Sequence, residues 1–97
     1  MSNRGDKSVL VVDDDPANLD ILAALLAPQY RLHAARSGAA ALRIALSSDL
    51  DLILLDAMMP GMDGFEVATQ LRENPRTRDV PIIFLTSGPL WGQKSRC

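Results

Sequence analysis

Apolar and polar positions alternate along the chain in blocks that predict strands and helices in turn. Segments of strand length occur at residues 9–12, 30–35, 50–55 and 80–85. The first, VLVV, is a continuous apolar run, which is typical of a strand buried on both faces of a parallel sheet. Between the strands, apolar residues recur at helical spacing and predict helices from Pro16 to the break at Pro28, over 38–46 and over 65–73.

Two of these helices have a capping residue directly before them. Asp15 precedes Pro16, and Ser37 precedes Gly38, so we expect Asp15 and Ser37 to be N-caps. The helical spacing also predicts which side chains face the core. These are Leu19, Leu22 and Leu26, widened by Ile21 and Leu25, then Leu42, Ala45 and Leu46, and finally Phe65, Ala68 and Leu71.

Strands that alternate with helices of this length predict an α/β fold, in which a parallel sheet with right-handed crossovers carries helices on both faces. Such sheets bind ligands beyond the carboxyl ends of their strands, where the strand order reverses. Asp13 and Asp14 follow the first strand. Asp56 ends the third strand, and Thr86 ends the fourth. We therefore expect these four polar side chains to meet at one edge of the sheet.

Carboxylates that meet in this way need a partner of opposite charge. At an effective dielectric constant near 20, two unit charges about 4 Å apart repel by roughly 4 kcal/mol. A hard divalent cation relieves this repulsion, and Mg²⁺ typically takes one or two carboxylates, several waters and a phosphate oxygen. With Mg²⁺ bound, Asp56 can act as a nucleophile towards phosphorus and form an aspartyl phosphate. A hydroxyl at Thr86 can donate a hydrogen bond to a phosphoryl oxygen.

Three aspartates are adjacent after the first strand, and only two are assigned to the metal. Asp15 has a sufficient structural role as the N-cap before Pro16. We therefore assign the metal pair to Asp13 and Asp14.

Composition narrows the class of protein. The 97 residues suit one domain, and 10 basic against 12 acidic residues give no basic footprint for direct binding to nucleic acid or an anionic membrane. No apolar run reaches the length of a signal core or a membrane span, so we expect a cytoplasmic protein. The single cysteine, Cys97, allows no internal disulfide, which also fits a reducing compartment.

Three stretches of the chain resemble the bacterial two-component response regulator receiver domain. They are VLVVDDD at the first strand, LILLDAMMPGMDGFE around Asp56, and VPIIFLTS at the fourth strand. The likeness runs over about residues 8–87, and it implies a flavodoxin-like doubly wound parallel sheet. It leaves residues 1–7 as a flexible leader and 88–97 as a tail outside the family pattern.

The resemblance also implies roles for individual residues. Asp56 matches the phosphoacceptor, which takes a phosphoryl group from a phosphohistidine on a sensor histidine kinase or a phosphotransfer protein. Asp13 and Asp14 match the Mg²⁺-binding acid pair, with Asp14 the direct ligand, and the backbone carbonyl of Met58 matches a third protein ligand. Thr86 matches the switch hydroxyl. Such a domain is a phosphoacceptor with self-catalysed phosphotransfer and dephosphorylation rather than an enzyme.

The sequence departs from the family pattern after its fourth strand. About four strands and three helices are recognisable, whereas the fourth helix, the fifth strand with its lysine, and the fifth helix are absent. Lys94 follows Thr86 too closely to replace that lysine. The alternative function is therefore a receiver-like interaction module impaired in phosphorylation. A small metal-dependent phosphohydrolase is a third reading, but Met58 occupies the position where such enzymes need a second acid.

The same departure affects the predicted fourth strand, residues 80–85. This strand becomes an exposed apolar edge, and such edges pair with other chains or aggregate. We expect self-association through this edge. The other outcome is that Leu90 and Trp91 fold back over it.

Overall fold

The computed structural model describes residues 7–27, 29–57 and 64–85. Its elements are β1 (Ser8–Val12), α1 (Pro16–Leu26), β2 (Arg31–Ala35), α2 (Gly38–Ser47), β3 (Leu52–Asp56), α3 (Gly64–Glu73) and β4 (Ile82–Leu85). Each of the seven predicted elements is present, with ends that differ from the prediction by two residues or fewer. Among the described residues, none of the helices has the length and apolar character needed to span a membrane.

The four strands form one parallel sheet in the order β2-β1-β3-β4. The chain first moves from β1 outward to β2, then crosses over β1 to β3, and continues to β4. The direction of winding therefore reverses between β1 and β3. With right-handed crossovers, α1 lies on one face of the sheet and α2 and α3 lie on the other. This confirms the predicted doubly wound α/β fold.

The main core lies between the sheet and the two helices α2 and α3. Alternate residues of the two central strands point into it, and all are buried: Leu10 and Val12 from β1, and Ile53 and Leu55 from β3. Facing them are residues one turn apart on each helix, namely Ala41 and Ala45 of α2 and Val67 and Leu71 of α3. The site-bearing strands β1 and β3 are thus the most firmly held part of the fold.

The opposite face of the sheet is covered by α1. Val9 and Val11 of β1 point to this face and are also buried. No residue of α1 is fully buried, however, and Ile21 and Leu25 are 58% and 69% exposed. The prediction that these two residues widen the stripe that packs on the sheet is wrong, because both side chains lie outside the contact of α1 with β1 and β2.

Two further core predictions are wrong for a related reason. Leu46 and Phe65 are exposed, whereas Ala41 and Val67 take the buried positions on their helices. The side of α2 that meets the sheet runs through Ala41 and Ala45, and Leu46 lies outside it. Helical periodicity predicts that an apolar face exists, but the helix's rotation about its axis decides which part of that face touches the sheet.

The predicted caps are both confirmed. The side chain of Asp15 accepts a hydrogen bond from the backbone N–H of Ala17 at 2.9 Å. The hydroxyl oxygen of Ser37 accepts one from the N–H of Ala40 at 3.1 Å. These bonds fix where α1 and α2 begin, immediately beyond the carboxyl ends of β1 and β2.

The first residue of α3 packs directly against the end of β3. The N–H of Gly64 donates to the carbonyl of Ala57 at 3.1 Å. A Cβ atom at position 64 would lie 2.7 Å from Cα of Ala57 and even closer to the carbonyl oxygen of Asp56. Both neighbours are backbone atoms, which cannot move without shifting the strand end. Close contact with the strand end therefore requires glycine at position 64.

We expect Gly64→Ala to destabilise the domain by about 1–3 kcal/mol, the usual cost of forcing an extra methyl group into a packed site. Thermal unfolding followed by circular dichroism measures this loss. Gln70→Ala is the control, because Gln70 is exposed on the same helix. Equal melting temperatures for the two variants would contradict the close packing of α3 on β3.

Candidate functional site

The fold brings two strand ends together at the point where the winding reverses. In the parallel register of β1 with β3, Val12 lies beside Leu55. The next position along each strand carries an aspartate, Asp13 after β1 and Asp56 at the end of β3. Both belong to the set of alternate residues that point towards the α1 face. The sheet register alone therefore places these two carboxylates side by side.

Asp14 joins them. One carboxylate oxygen from each of Asp13, Asp14 and Asp56 lies within 4.8 Å of the other two. Asp13 and Asp56 are buried, being 4% and 1% exposed, whereas Asp14 is half-buried. The structure thus brings together the three aspartates that the sequence predicts at this edge, and the half-buried Asp14 leaves the group open to solvent.

Asp13 is held from two sides by the beginning of α1. Its Oδ1 accepts a hydrogen bond from the backbone N–H of Asp15 at 2.9 Å. Its Oδ2 accepts one from the side-chain amide of Asn18 at 3.2 Å. The sequence did not indicate Asn18: it lies in the first turn of the helix that Asp15 caps, but this position alone does not show that its side chain reaches Asp13.

Asp15 stays outside the carboxylate group. Its side chain caps α1, and its backbone N–H supports Asp13. The structure therefore agrees with the division of the three adjacent aspartates into a capping residue and a pair that faces Asp56.

The donor set is made entirely of carboxylate oxygens. Hard cations such as Mg²⁺ and Ca²⁺ prefer oxygen ligands, and Mg²⁺ keeps several of its waters while binding one or two carboxylates. Soft or borderline metals instead favour thiolate and imidazole ligands. A cluster of three carboxylates with one half-buried member suits a partly hydrated Mg²⁺ that remains open to a phosphate oxygen. Beside such an ion, Asp56 has the chemistry of a nucleophile towards phosphorus.

Several predicted positions lie outside the described residues. They are Met58, Thr86, Lys94 and the pair Leu90 and Trp91. Their predicted roles stay predictions.

Comparison with known proteins gives consistent results over most of the chain. The family model described as the response regulator receiver domain matches residues 9–89. A probable cyclic di-GMP phosphodiesterase of Vibrio cholerae is 45% identical over 86 residues, which are 89% of this chain and 20% of that protein. The response regulator PleD of Caulobacter vibrioides is 46% identical over 80 residues, or 81% of this chain and 18% of that protein. The chain spans about a fifth of the length of these relatives.

Solved structures show the same likeness. The N-terminal domain of a response regulator receiver protein from Methanoculleus marisnigri superposes with a TM-score of 0.79 at 40% identity, covering 86% of this chain and 68% of that one. The receiver domain of a sensor histidine kinase from Pseudomonas aeruginosa, with a magnesium ion coordinated in its active site cleft, superposes with a TM-score of 0.81 at 34% identity, covering 91% and 73%. With its doubly wound sheet and its three aspartates, the chain belongs to the response regulator receiver domain family, the phosphoacceptor modules of two-component signal transduction.

Proposed function

We propose that this chain accepts a phosphoryl group on Asp56 in a Mg²⁺-dependent reaction. One observation carries the proposal: the three carboxylates of Asp13, Asp14 and Asp56 lie within 4.8 Å of one another at the strand-order reversal. The phosphodonor is a phosphohistidine of a sensor histidine kinase or a phosphotransfer protein. Relatives of the chain include the sensor histidine kinases BarA and RcsC of Escherichia coli, which supports a place in such a relay.

The three aspartates fit the ion, because all their donor atoms are hard oxygens. Asp13, Asp14 and Asp56 would hold Mg²⁺, with Asp14 as a direct ligand and the backbone carbonyl of Met58 as a further one. When bound, Mg²⁺ neutralises charge on the transferring phosphoryl group. A relative from Thermotoga maritima has been solved in complex with Mg²⁺-BeF, and its likeness to this chain supports the proposal.

Transfer of the phosphoryl group to Asp56 forms one bond and breaks one bond. A carboxylate oxygen of Asp56 attacks phosphorus, and the new P–O bond forms as the P–N bond of the phosphohistidine breaks, so that the imidazole nitrogen takes back the electron pair. The Thr86 hydroxyl donates a hydrogen bond to a phosphoryl oxygen. Hydrolysis of the acyl phosphate by water then restores the carboxylate and releases phosphate. The protein is thus a phosphoacceptor that resets itself.

We expect the 97-residue chain to gain one phosphoryl group when it is incubated with acetyl phosphate and Mg²⁺. Intact-mass spectrometry detects the gain, and Asp56→Asn abolishes it because an amide oxygen is a poor nucleophile towards phosphorus. Asp20→Asn is the matched control, since Asp20 is exposed on α1.

An unchanged mass in a folded parent protein would contradict the proposal. Mg²⁺ binding without any gain in mass would instead favour an interaction module that keeps the receiver scaffold.

We also propose that the chain self-associates through β4, the edge strand of the described sheet. Ile83 and Phe84 of β4 are 51% and 39% exposed. Phe84 lies on the α3 side of the sheet, where it lines a groove of about 430 Å³ with Phe65, Ala68, Thr69, Arg72 and Glu73. Ile83 points to the opposite face of the sheet. In a two-fold arrangement, each copy offers the same surface to the other, so Arg72 of one copy can face Glu73 of its partner.

Ile83→Lys tests this association, because a lysine on an exposed strand edge opposes edge-to-edge pairing. We expect it to weaken self-association at least tenfold in sedimentation equilibrium of the 97-residue chain. Ile21→Lys is the matched control, since Ile21 is similarly exposed on α1. A monomeric parent protein, or an association weakened by Ile21→Lys but not by Ile83→Lys, would refute the use of β4.

A further inference from the structure

Asp13 has a different environment from the other two carboxylates of the site. Both of its oxygens accept hydrogen bonds at the N-terminus of α1, Oδ1 from the backbone N–H of the N-cap Asp15 and Oδ2 from the amide of Asn18 in the first turn. Asn18 is half-buried, and its side chain is the one side-chain donor to Asp13 within the part of the chain that the structure describes.

These two donors act on the carboxylate in different ways. A backbone N–H at Oδ1 leaves the carboxylate free to pivot about that oxygen. The second bond, at Oδ2, removes this freedom and sets the plane of the group. It also places the positive end of the amide dipole 3.2 Å from an oxygen that Asp14 and Asp56 repel. Without it, repulsion from the other two carboxylates favours rotation of Asp13 away from the site.

We propose that Asn18 is a positioning residue of the metal site: its amide holds Asp13 facing Asp14 and Asp56 before the ion arrives. The inference rests on the proposed Mg²⁺-dependent function. It assigns to α1 a second role besides covering the sheet, because the first turn of α1 supplies the side-chain donor to Asp13. Partners that orient metal-binding side chains in this way typically affect metal affinity by 10–100-fold.

The direct test is Mg²⁺ titration by isothermal calorimetry on the full 97-residue chain. We expect Asn18→Ala to weaken Mg²⁺ binding about tenfold. Gln70→Ala removes an exposed amide from α3 and leaves the affinity unchanged. An affinity of Asn18→Ala within twofold of the parent protein overturns the inference.

A second variant decides the matter if Asn18→Ala does not fold. Asn18→Asp puts a carboxylate oxygen where the amide nitrogen lies, so that attraction to Asp13 becomes repulsion. In EDTA we expect its melting temperature to fall by about 5 °C, and saturating Mg²⁺ to raise it more than in the parent protein. The control is Asn74→Asp, because the Asn74 side-chain oxygen accepts from the Arg76 N–H and a carboxylate keeps this bond. Identical melting of the two variants in EDTA overturns the inference.

Measuring Mg²⁺ binding and phosphorylation of the parent protein distinguishes a failure of the proposed function from a failure of the role of Asn18. If the parent binds no Mg²⁺ and gains no phosphoryl group, the proposed function fails and the role of Asn18 falls with it. If the parent binds Mg²⁺ and Asn18→Ala binds it equally well, only the role of Asn18 is overturned.

Discussion

Repulsion among three carboxylates is the constraint on which the rest of this structure depends. At the 4.8 Å that bounds the cluster, each pair of charges repels by roughly 3 kcal/mol at an effective dielectric constant near 20. The register of β1 against β3 makes this proximity unavoidable, because it places Asp13 beside Asp56. Hydrogen bonds from the N-cap Asp15 and from Asn18 of α1 offset part of this repulsion. The proposed Mg²⁺ ion would offset more of it.

The strands that carry the carboxylates are buried in the core, whereas α1 and β4 expose apolar side chains. β1 and β3 are central strands, and their apolar residues in the main core are fully buried. α3 is packed so closely on β3 that Gly64 has no room for a side chain. At the margins, in contrast, Ile21 of α1 and Ile83 of β4 are more than half exposed. The site therefore lies on the buried central strands, and the exposed apolar side chains lie at the edges of the fold.

Much of the fold was predictable from the sequence. The apolar runs predicted the strands, the caps at Asp15 and Ser37 predicted the helix starts, and the rule for parallel sheets predicted that the aspartates meet. Helical periodicity did not predict which apolar side chains are buried, because this depends on how each helix is rotated about its axis on the sheet. Leu46 and Phe65 are exposed for this reason. Asn18 was missed because a bond between a helix and a strand end depends on how the helix is placed, which spacing along the chain does not determine.

The most direct test of the account is to locate the phosphoryl group on the chain. After incubation with acetyl phosphate and Mg²⁺, borohydride reduction converts an aspartyl phosphate to homoserine, and peptide sequencing by tandem mass spectrometry finds its position. We expect homoserine at position 56, and none when EDTA replaces Mg²⁺. Homoserine at another aspartate, or its formation at position 56 without a divalent cation, would contradict the claim that three carboxylates and a metal ion make this site.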